Sequence, residues 1–142
     1  MVNYWLCVVN QRNWSVVRRE LVWGVPRRHR NKLASVRKGD VLIFYIKGSK
    51  IGGIFQVVSD PYVDETRIFD TTGFPETEKF PYRVKLKPVI VSKKLIDFRP
   101  LVGMMSFITN KRLWGLHLLG KAMIKISQKD FEILKQTLES GR

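Results

Sequence analysis

Two neighbouring segments limit the fold of this chain more than any other feature. They are Val41-Leu42-Ile43-Phe44-Tyr45-Ile46-Lys47 and Ile51-Gly52-Gly53-Ile54-Phe55-Gln56-Val57-Val58-Ser59, separated only by Gly48-Ser49-Lys50. A strand that is wetted on one side alternates apolar and polar residues, whereas an almost unbroken apolar strand is covered on both sides. The pair therefore reads as a hairpin buried on much of both faces. With 142 residues the chain is long enough to enclose it as one domain spanning 1–142.

The other segments fit around that hairpin. Tyr4 to Val9 is dense in β-branched and aromatic residues and predicts a first strand ending at Asn10. A short helix follows from Asn13 or Ser15, carrying Val16, Val17 and Leu21, and the Trp23-Gly24-Val25-Pro26 turn ends it. Arg27 to Val36 holds a further helical turn with Leu33 and Val36 inward. Asp60 to Lys79 is a long acidic loop, of a length that in a small domain is usually functional or mobile. From Tyr82 the pattern alternates: Tyr82, Val84 and Leu86 face the core, and Arg83, Lys85 and Lys87 face outward. Pro88 makes this strand an edge or ends its regular pairing. Leu95 to Ile108 is irregular or short-helical, Lys121 to Ile126 is a last strand, and Ser127 to Asp130 opens a helix that buries Phe131, Leu134 and Leu138. Five or six strands, short flanking helices and no βαβ rhythm predict an α+β fold built on a small barrel.

Charge narrows the partners. The chain carries 26 Lys+Arg against 12 Asp+Glu, a formal net charge of +14. The charges are segregated: nine bases and one acid, Glu20, lie between Arg12 and Lys38, while six acids and one base, Arg67, lie between Asp60 and Glu78. A solubilising surface intersperses both signs, so the segregation favours a face that binds a polyanion. No apolar run approaches the roughly 20 residues of a membrane helix. The opening Met1 to Tyr4 lacks the basic region of a signal peptide, and a single cysteine excludes an internal disulfide. A cytoplasmic protein without membrane attachment is expected; oligomeric state is not legible.

Catalytic chemistry finds no support. Cys7 lies mid-strand among apolar neighbours, the setting of a structural cysteine. His29 and His117 are isolated, with neither metal-ligand spacing nor a nucleophile beside them. No phosphate-binding glycine motif is present, and Gly52-Gly53 inside a strand marks a bulge or a close backbone approach. No cofactor and no metal are expected, and the chain reads as a non-enzyme.

The aromatic residues point elsewhere. Trp14, Trp23 and Trp114 fall at element ends beside Gly, Pro, Asn and Arg, a placement that either plugs the end of a barrel or offers a stacking surface to an unpaired base. Asn10 either caps the following helix or reads a base edge, because its amide both donates and accepts.

These residues carry a resemblance. Tyr4 to Asn10, Trp14, Leu21 to Pro26, Lys38 to Tyr45, Ile51 to Ser59, Phe80 to Val84, and Phe107 to Lys111 with Trp114-Gly115 together resemble an EVE domain, over nearly the whole chain. EVE domains belong to the PUA-like β-barrel superfamily and are related to YTH domains. The resemblance implies a pocket for a modified base: methylated adenine in RNA, or modified cytosine in DNA. It assigns one pocket wall to Trp23-Gly24 and the second to Phe69 of the long loop, where a tryptophan is usual, with Asn10, Trp14, Asn110 and Trp114 around the base. Arg18, Arg19, Arg27, Arg28, Arg30, Lys32, Arg83, Lys85, Lys87, Lys111 and Arg112 are then the expected phosphate contacts. Three alternatives remain: an ASCH-like or PUA-like module that recognises structured RNA by shape without a cage, a nucleotide-processing enzyme using the same cavity, and a protein-interaction module.

Overall fold

The apolar hairpin forms the middle of a seven-stranded mixed sheet. In the computed structural model, which describes residues 1–141, the regular elements are β1 (Tyr4–Val9), α1 (Gln11–Glu20), β2 (Val22–Val25), α2 (Arg30–Ala34), β3 (Val41–Ile46), β4 (Lys50–Val57), β5 (Tyr62–Val63), β6 (Tyr82–Asp97), β7 (Met123–Ile126) and α3 (Gln128–Ser140). Short 3-10 turns lie at Arg27–His29, Arg99–Met104 and Trp114–His117. The strands run in the order β2-β6-β4-β3-β1-β7, with β5 beside β6, and the sheet curls into an open half-barrel. All pairings are antiparallel except β1 with β3, whose carboxyl ends emerge together at one rim. No helix among the described residues is long and apolar enough to cross a membrane.

The central strands are buried on both sides, as their composition predicts. Cys7, Val9, Leu42, Phe44, Phe55 and Val57 face the hollow of the sheet, where α1 packs. Leu6, Ile43, Tyr45 and Ile54 face the opposite layer, where Phe98 to Ile108 and α3 cover them. Ser127 caps α3 by accepting the Asp130 N–H at 3.1 Å, and Phe131, Leu134 and Leu138 are buried. The Asp130 carboxylate, fully buried, accepts the N–H and hydroxyl of Ser106, which ties α3 to the irregular layer.

Trp14 is the centre of the concave core. Its indole lies 5.6 Å from the Phe44 ring and 6.0 Å, edge-on, from the Phe55 ring. Gly52 and Gly53 make room for it: a Cβ on Gly52 would approach Trp14 Cζ2 to 2.5 Å, and one on Gly53 would approach the Ile90 carbonyl to 2.7 Å. The β4–β6 register shifts at the same place, between Ile51 and Gly53, so close approach and bulge coincide.

Two expectations are corrected and one is met. The Trp23-Gly24-Val25-Pro26 stretch is no turn: Val22–Val25 is a strand paired with Tyr82 to Lys85. What stops α1 is Leu21, which takes the left-handed conformation at φ 54 and donates its N–H to the Val17 carbonyl. Pro88 falls where regular pairing breaks, as expected: β2 pairs only as far as Lys85, and the register with β4 shifts between Ile54–Ile90 and Phe55–Pro88, although the strand itself continues to Asp97. Arg83 does not face outward with Lys85 and Lys87 but is buried, with 1% of its surface exposed.

The glycine pair supplies a direct test. Gly52→Ala is expected to lower stability by about 1–3 kcal/mol through overpacking against the indole. Gly103→Ala, where a Cβ meets nothing within 4 Å, is expected to stay within about 0.5 kcal/mol of wild type. Urea unfolding followed by tryptophan fluorescence measures both.

Candidate functional site

A cavity of about 570 Å³ opens at the rim where β1 and β3 end. Trp23, Tyr45, Phe74, Phe80 and Trp114 line it with aromatic surface; Asn10, Asn13, Asp70 and Thr72 supply polar groups. Arg28, His29, Lys47 and Lys121 stand around it, three of them cationic. The volume lies in the range of roughly 300–1,000 Å³ common to small-ligand sites, and the mix of apolar wall and few polar groups is theirs too.

Each wall has a local cause. Trp23 sits on β2 with its ring edge-on to Phe44 at 5.3 Å, and its buried indole N–H has no hydrogen-bond partner among the described residues. The next residue has to be glycine, since a Cβ on Gly24 would meet Phe69 Cε2 at 2.6 Å and the Phe80 carbonyl at 2.8 Å. Asn10 caps α1, its side-chain oxygen accepting the Asn13 N–H at 2.8 Å. That bond fixes the amide so that its nitrogen points to the Asp70 carboxylate, 3.4 Å away. Asn13 then clamps the long loop: its oxygen accepts the Asp70 N–H at 2.7 Å and its nitrogen donates to the Asp70 carbonyl at 2.9 Å. Hydrogen bonds from the Thr72 hydroxyl and N–H hold the Asp70 carboxyl below its ordinary range, so it is ionised at neutral pH.

Of the residues expected at a base pocket, Asn10, Trp23, Gly24 and Trp114 meet at this cavity. Trp14, Phe69 and Asn110 are not among its lining residues. Trp14 plugs the barrel. Phe69 lies behind Gly24, tilted against Phe80 at 6.0 Å and under the Arg83 guanidinium at 5.3 Å, so that Phe74 and Phe80 supply the loop's aromatic surface instead. Asn110 shapes its own turn, accepting the Leu113 N–H at 3.0 Å and donating its backbone N–H to His117 Nε2 at 3.1 Å.

The expected phosphate contacts divide in the same way. Arg83 donates to the Phe80, Lys79 and Thr66 carbonyls and pairs with Asp64 at 3.5 Å, so it holds the loop from inside. Arg27 pairs with Glu65 and Glu78. The Lys111 ammonium caps the Val102 and Met105 carbonyls at 3.2 and 2.7 Å, and Lys32 donates to the Met123 carbonyl at 3.1 Å. Arg18 lies over the Trp14 ring at 5.2 Å, and Arg28 over the Phe74 ring at 4.9 Å. Arg18, Arg19, Arg28, Arg30, Lys32, Lys85, Lys87, Lys111 and Arg112 are all exposed.

Asn13, Asp70, Phe74 and Phe80 escaped the sequence reading. Asn13 left a signal: Asn10, Asn13, Trp14 and Val17 share one helical face, and an asparagine on an apolar face requires a buried polar partner. The loop residues left none, because a loop has no periodicity to place its side chains.

Reactive groups are few. Burial raises the Cys7 thiol well above its ordinary pKa, the opposite of an activated nucleophile. Among the described residues no group of three or more His, Cys, Asp or Glu is arranged to hold a metal. His29 Nε2 accepts from Arg28 Nε at 3.2 Å, and desolvation, with the charges of Arg28 and Lys32, lowers its pKa.

Comparison with known proteins agrees with this geometry. The EVE domain model matches residues 3–137. The chain belongs to the EVE domain family. A UPF0310 protein of Pyrococcus abyssi is 43% identical over 146 residues, covering 96% of this chain and 100% of its relative. Among solved structures, the Mmi1 YTH domain in complex with RNA superposes with a TM-score of 0.70 at 12% identity, covering 98% of this chain and 79% of that one. The Pho92 YTH domain in complex with m6A gives 0.65 at 16% identity, covering 96% and 86%. At such identities the likeness establishes a shared YTH-like, PUA-like fold.

Two measurements probe the site's construction. Because the native pKa of His29 lies below its ordinary 6.5, the unfolded chain takes the proton first. Its contribution is therefore complete above that value and lost as pH falls through the native pKa. The melting temperature is expected to drop from about pH 7.5 to about pH 5.5, and less so in His29→Gln; Asp64, Asp70 and Asp97, all lowered from 3.8, titrate below this window. Asn13→Ala is expected to release the loop, seen as faster hydrogen exchange at Asp70 and its neighbours with the β3–β4 core unchanged.

Proposed function

We propose that this protein is a non-catalytic nucleic-acid-binding module that takes one modified base, methylated adenine in RNA or modified cytosine in DNA, out of its strand and into the aromatic cavity. The observation that carries the reading is the meeting, at one rim, of five aromatic residues, a fixed amide–carboxylate pair and three cations. The RNA and m6A held by the structurally similar YTH domains support it.

Each part has a task. Extruding a base costs a few kcal/mol. Stacking against Trp23, Phe74 or Trp114 offsets that by about 1–3 kcal/mol per base. A methyl group buried against these rings adds about 0.8 kcal/mol, enough to favour the modified base where the unmodified one leaves a void. Asn10 retains a free N–H, and the Asp70 carboxylate a free lone pair; side by side they complement a base edge that presents a ring-nitrogen acceptor next to an amine N–H. Adenine and cytosine both have such an edge, and an N6-monomethyl group leaves one N–H in place. Arg28, Lys47 and Lys121 face the flanking phosphates, with Arg18, Arg19, Arg30, Lys32, Lys85, Lys87 and Arg112 extending the positive field without reading sequence.

The decisive experiment compares modified and unmodified oligonucleotides at two salt concentrations. Trp23→Ala and Phe74→Ala are each expected to weaken binding of the modified strand about tenfold while charge-driven binding of the unmodified strand persists. Phe74 is half-buried, outside the innermost core, and keeps the test valid if Trp23→Ala unfolds. Equal losses on both strands would rule out a cage and favour recognition of RNA by shape. Lys47→Ala with Lys121→Ala is expected to weaken both strands alike and to reduce the salt slope by about 0.7 per lost single-strand contact.

A further inference from the structure

Three leucines of one short segment are left in water. Leu113, Leu116 and Leu119 are 54%, 59% and 75% exposed. The segment is held in place: Leu118 is buried beneath it, Leu116 and Leu118 donate to the Leu113 and Gly115 carbonyls at 3.1 Å, and the Asn110–Leu113 and Asn110–His117 bonds close its start. Together with Arg112, Trp114 and Gly115 these leucines line a second, shallow cleft of about 420 Å³. Trp114, Gly115 and Leu119 belong to both clefts, so the apolar ledge begins where the aromatic cavity ends. From Lys111 to Lys121 the chain carries Lys111, Arg112 and Lys121 and no acid.

An apolar ledge of this kind on a soluble chain marks a binding surface. Its cationic flanks select a partner that combines flat apolar faces with negative charge, and a nucleic-acid strand alternates the two at every residue. The shared Trp114 wall favours the strand over any other anion-rich partner, because a base in the cavity brings its neighbour to the ledge. We propose that Leu113 to Leu119 form a second subsite, which rests on the reading of the cavity as a base pocket. It takes the nucleotide adjacent to the captured one, its base lying on Leu113 and Leu116 and its phosphate facing Arg112 or Lys121. Affinity then depends on strand length even though only one base is extruded.

The test uses the full chain, the double variant Leu113→Ser with Leu116→Ser, anionic phospholipid vesicles, and two pairs of probes, each also in its unmethylated form. These are N6-methyladenosine 5′-monophosphate with an RNA trinucleotide centred on it, and 5-methyldeoxycytidine 5′-monophosphate with the matching DNA trinucleotide. Both leucines are exposed, so the variant is expected to keep its circular dichroism and melting temperature. Wild type is expected to bind one trinucleotide about tenfold more tightly than its mononucleotide, and the variant to lose that gain while binding the mononucleotide as before. A variant that binds both trinucleotides like wild type overturns the subsite, as does a wild type that binds neither. A variant that instead loses binding to anionic phospholipid vesicles, with trinucleotide binding intact, assigns the ledge to a membrane surface and also overturns it. Failure of the cavity reading shows separately: wild type then binds methylated and unmethylated trinucleotides equally, while the serine variant still weakens both.

Discussion

The Trp14 indole occupies the space that Gly52 and Gly53 leave inside the half-barrel, and the position of nearly every group at the cavity follows from it. With Trp14 seated against Phe44 and Phe55, α1 has a fixed rotation about its own axis. That rotation puts Asn13 one residue before the indole and Asn10 one turn earlier, both at the rim where β1 ends. Asn13 holds the backbone of Asp70, and through it the long loop that brings Phe74 and Phe80 over β2. A chain of contacts thus runs from the core to the far wall. Loosening the first is transmitted to the last, since close-packed interiors pass displacement on rather than absorb it.

The acidic loop acquires its meaning from the same geometry. Run together in sequence, its acids suggest a negative surface, yet Asp64, Glu65 and Glu78 are spent on Arg83 and Arg27, and Asp70 faces Asn10. Glu78 also accepts the N–H groups of Arg27, Lys79 and Phe80, closing the base of the loop. Four of the loop's six acids thus help to hold the loop, although only Glu78 is buried and the Asp64 and Glu65 side chains stay 42% and 47% exposed.

Much of the fold was legible because it rests on patterns with a fixed period. The limits of β1, the buried hairpin, the Ser127 cap and the inner face of α3 all follow from alternation, helical spacing or capping chemistry. The failures share a cause as well. β2 was hidden because Trp-Gly-Val-Pro carries two residues that usually break structure, whereas here glycine is demanded by Phe69 and Phe80 packing and proline falls just past the strand end. Alternation misplaces Arg83 because its buried guanidinium is held by three carbonyls and one carboxylate that lie 3 to 19 residues before it in the irregular loop and its end. At the candidate site, Trp23-Gly24, Asn10 and Trp114 were reached through motif order. A loop's sequence has no period to say which of Phe69 and Phe74 turns towards the cavity, and the structure lines it with Phe74.

The state of Trp23 bears on why such a cavity exists at all. A buried donor without a partner costs about 1–3 kcal/mol, and a hollow ringed by aromatic side chains forgoes the dispersion contacts that would otherwise stabilise it. Neither defect is forced by the barrel. The two glycines at 52 and 53 show how tightly this chain packs where packing alone is at stake, with Trp14 filling the space down to van der Waals contact. The contrast between a core closed around one tryptophan and a rim left open around another is the signature of a fold that gives up local stability to keep a surface available. The surface kept open is flat, aromatic and bordered by cations, and its edge groups, one N–H and one carboxylate, already stand in fixed register before any ligand arrives. Preorganisation of that kind lowers the ordering cost of binding for any ligand the cavity takes.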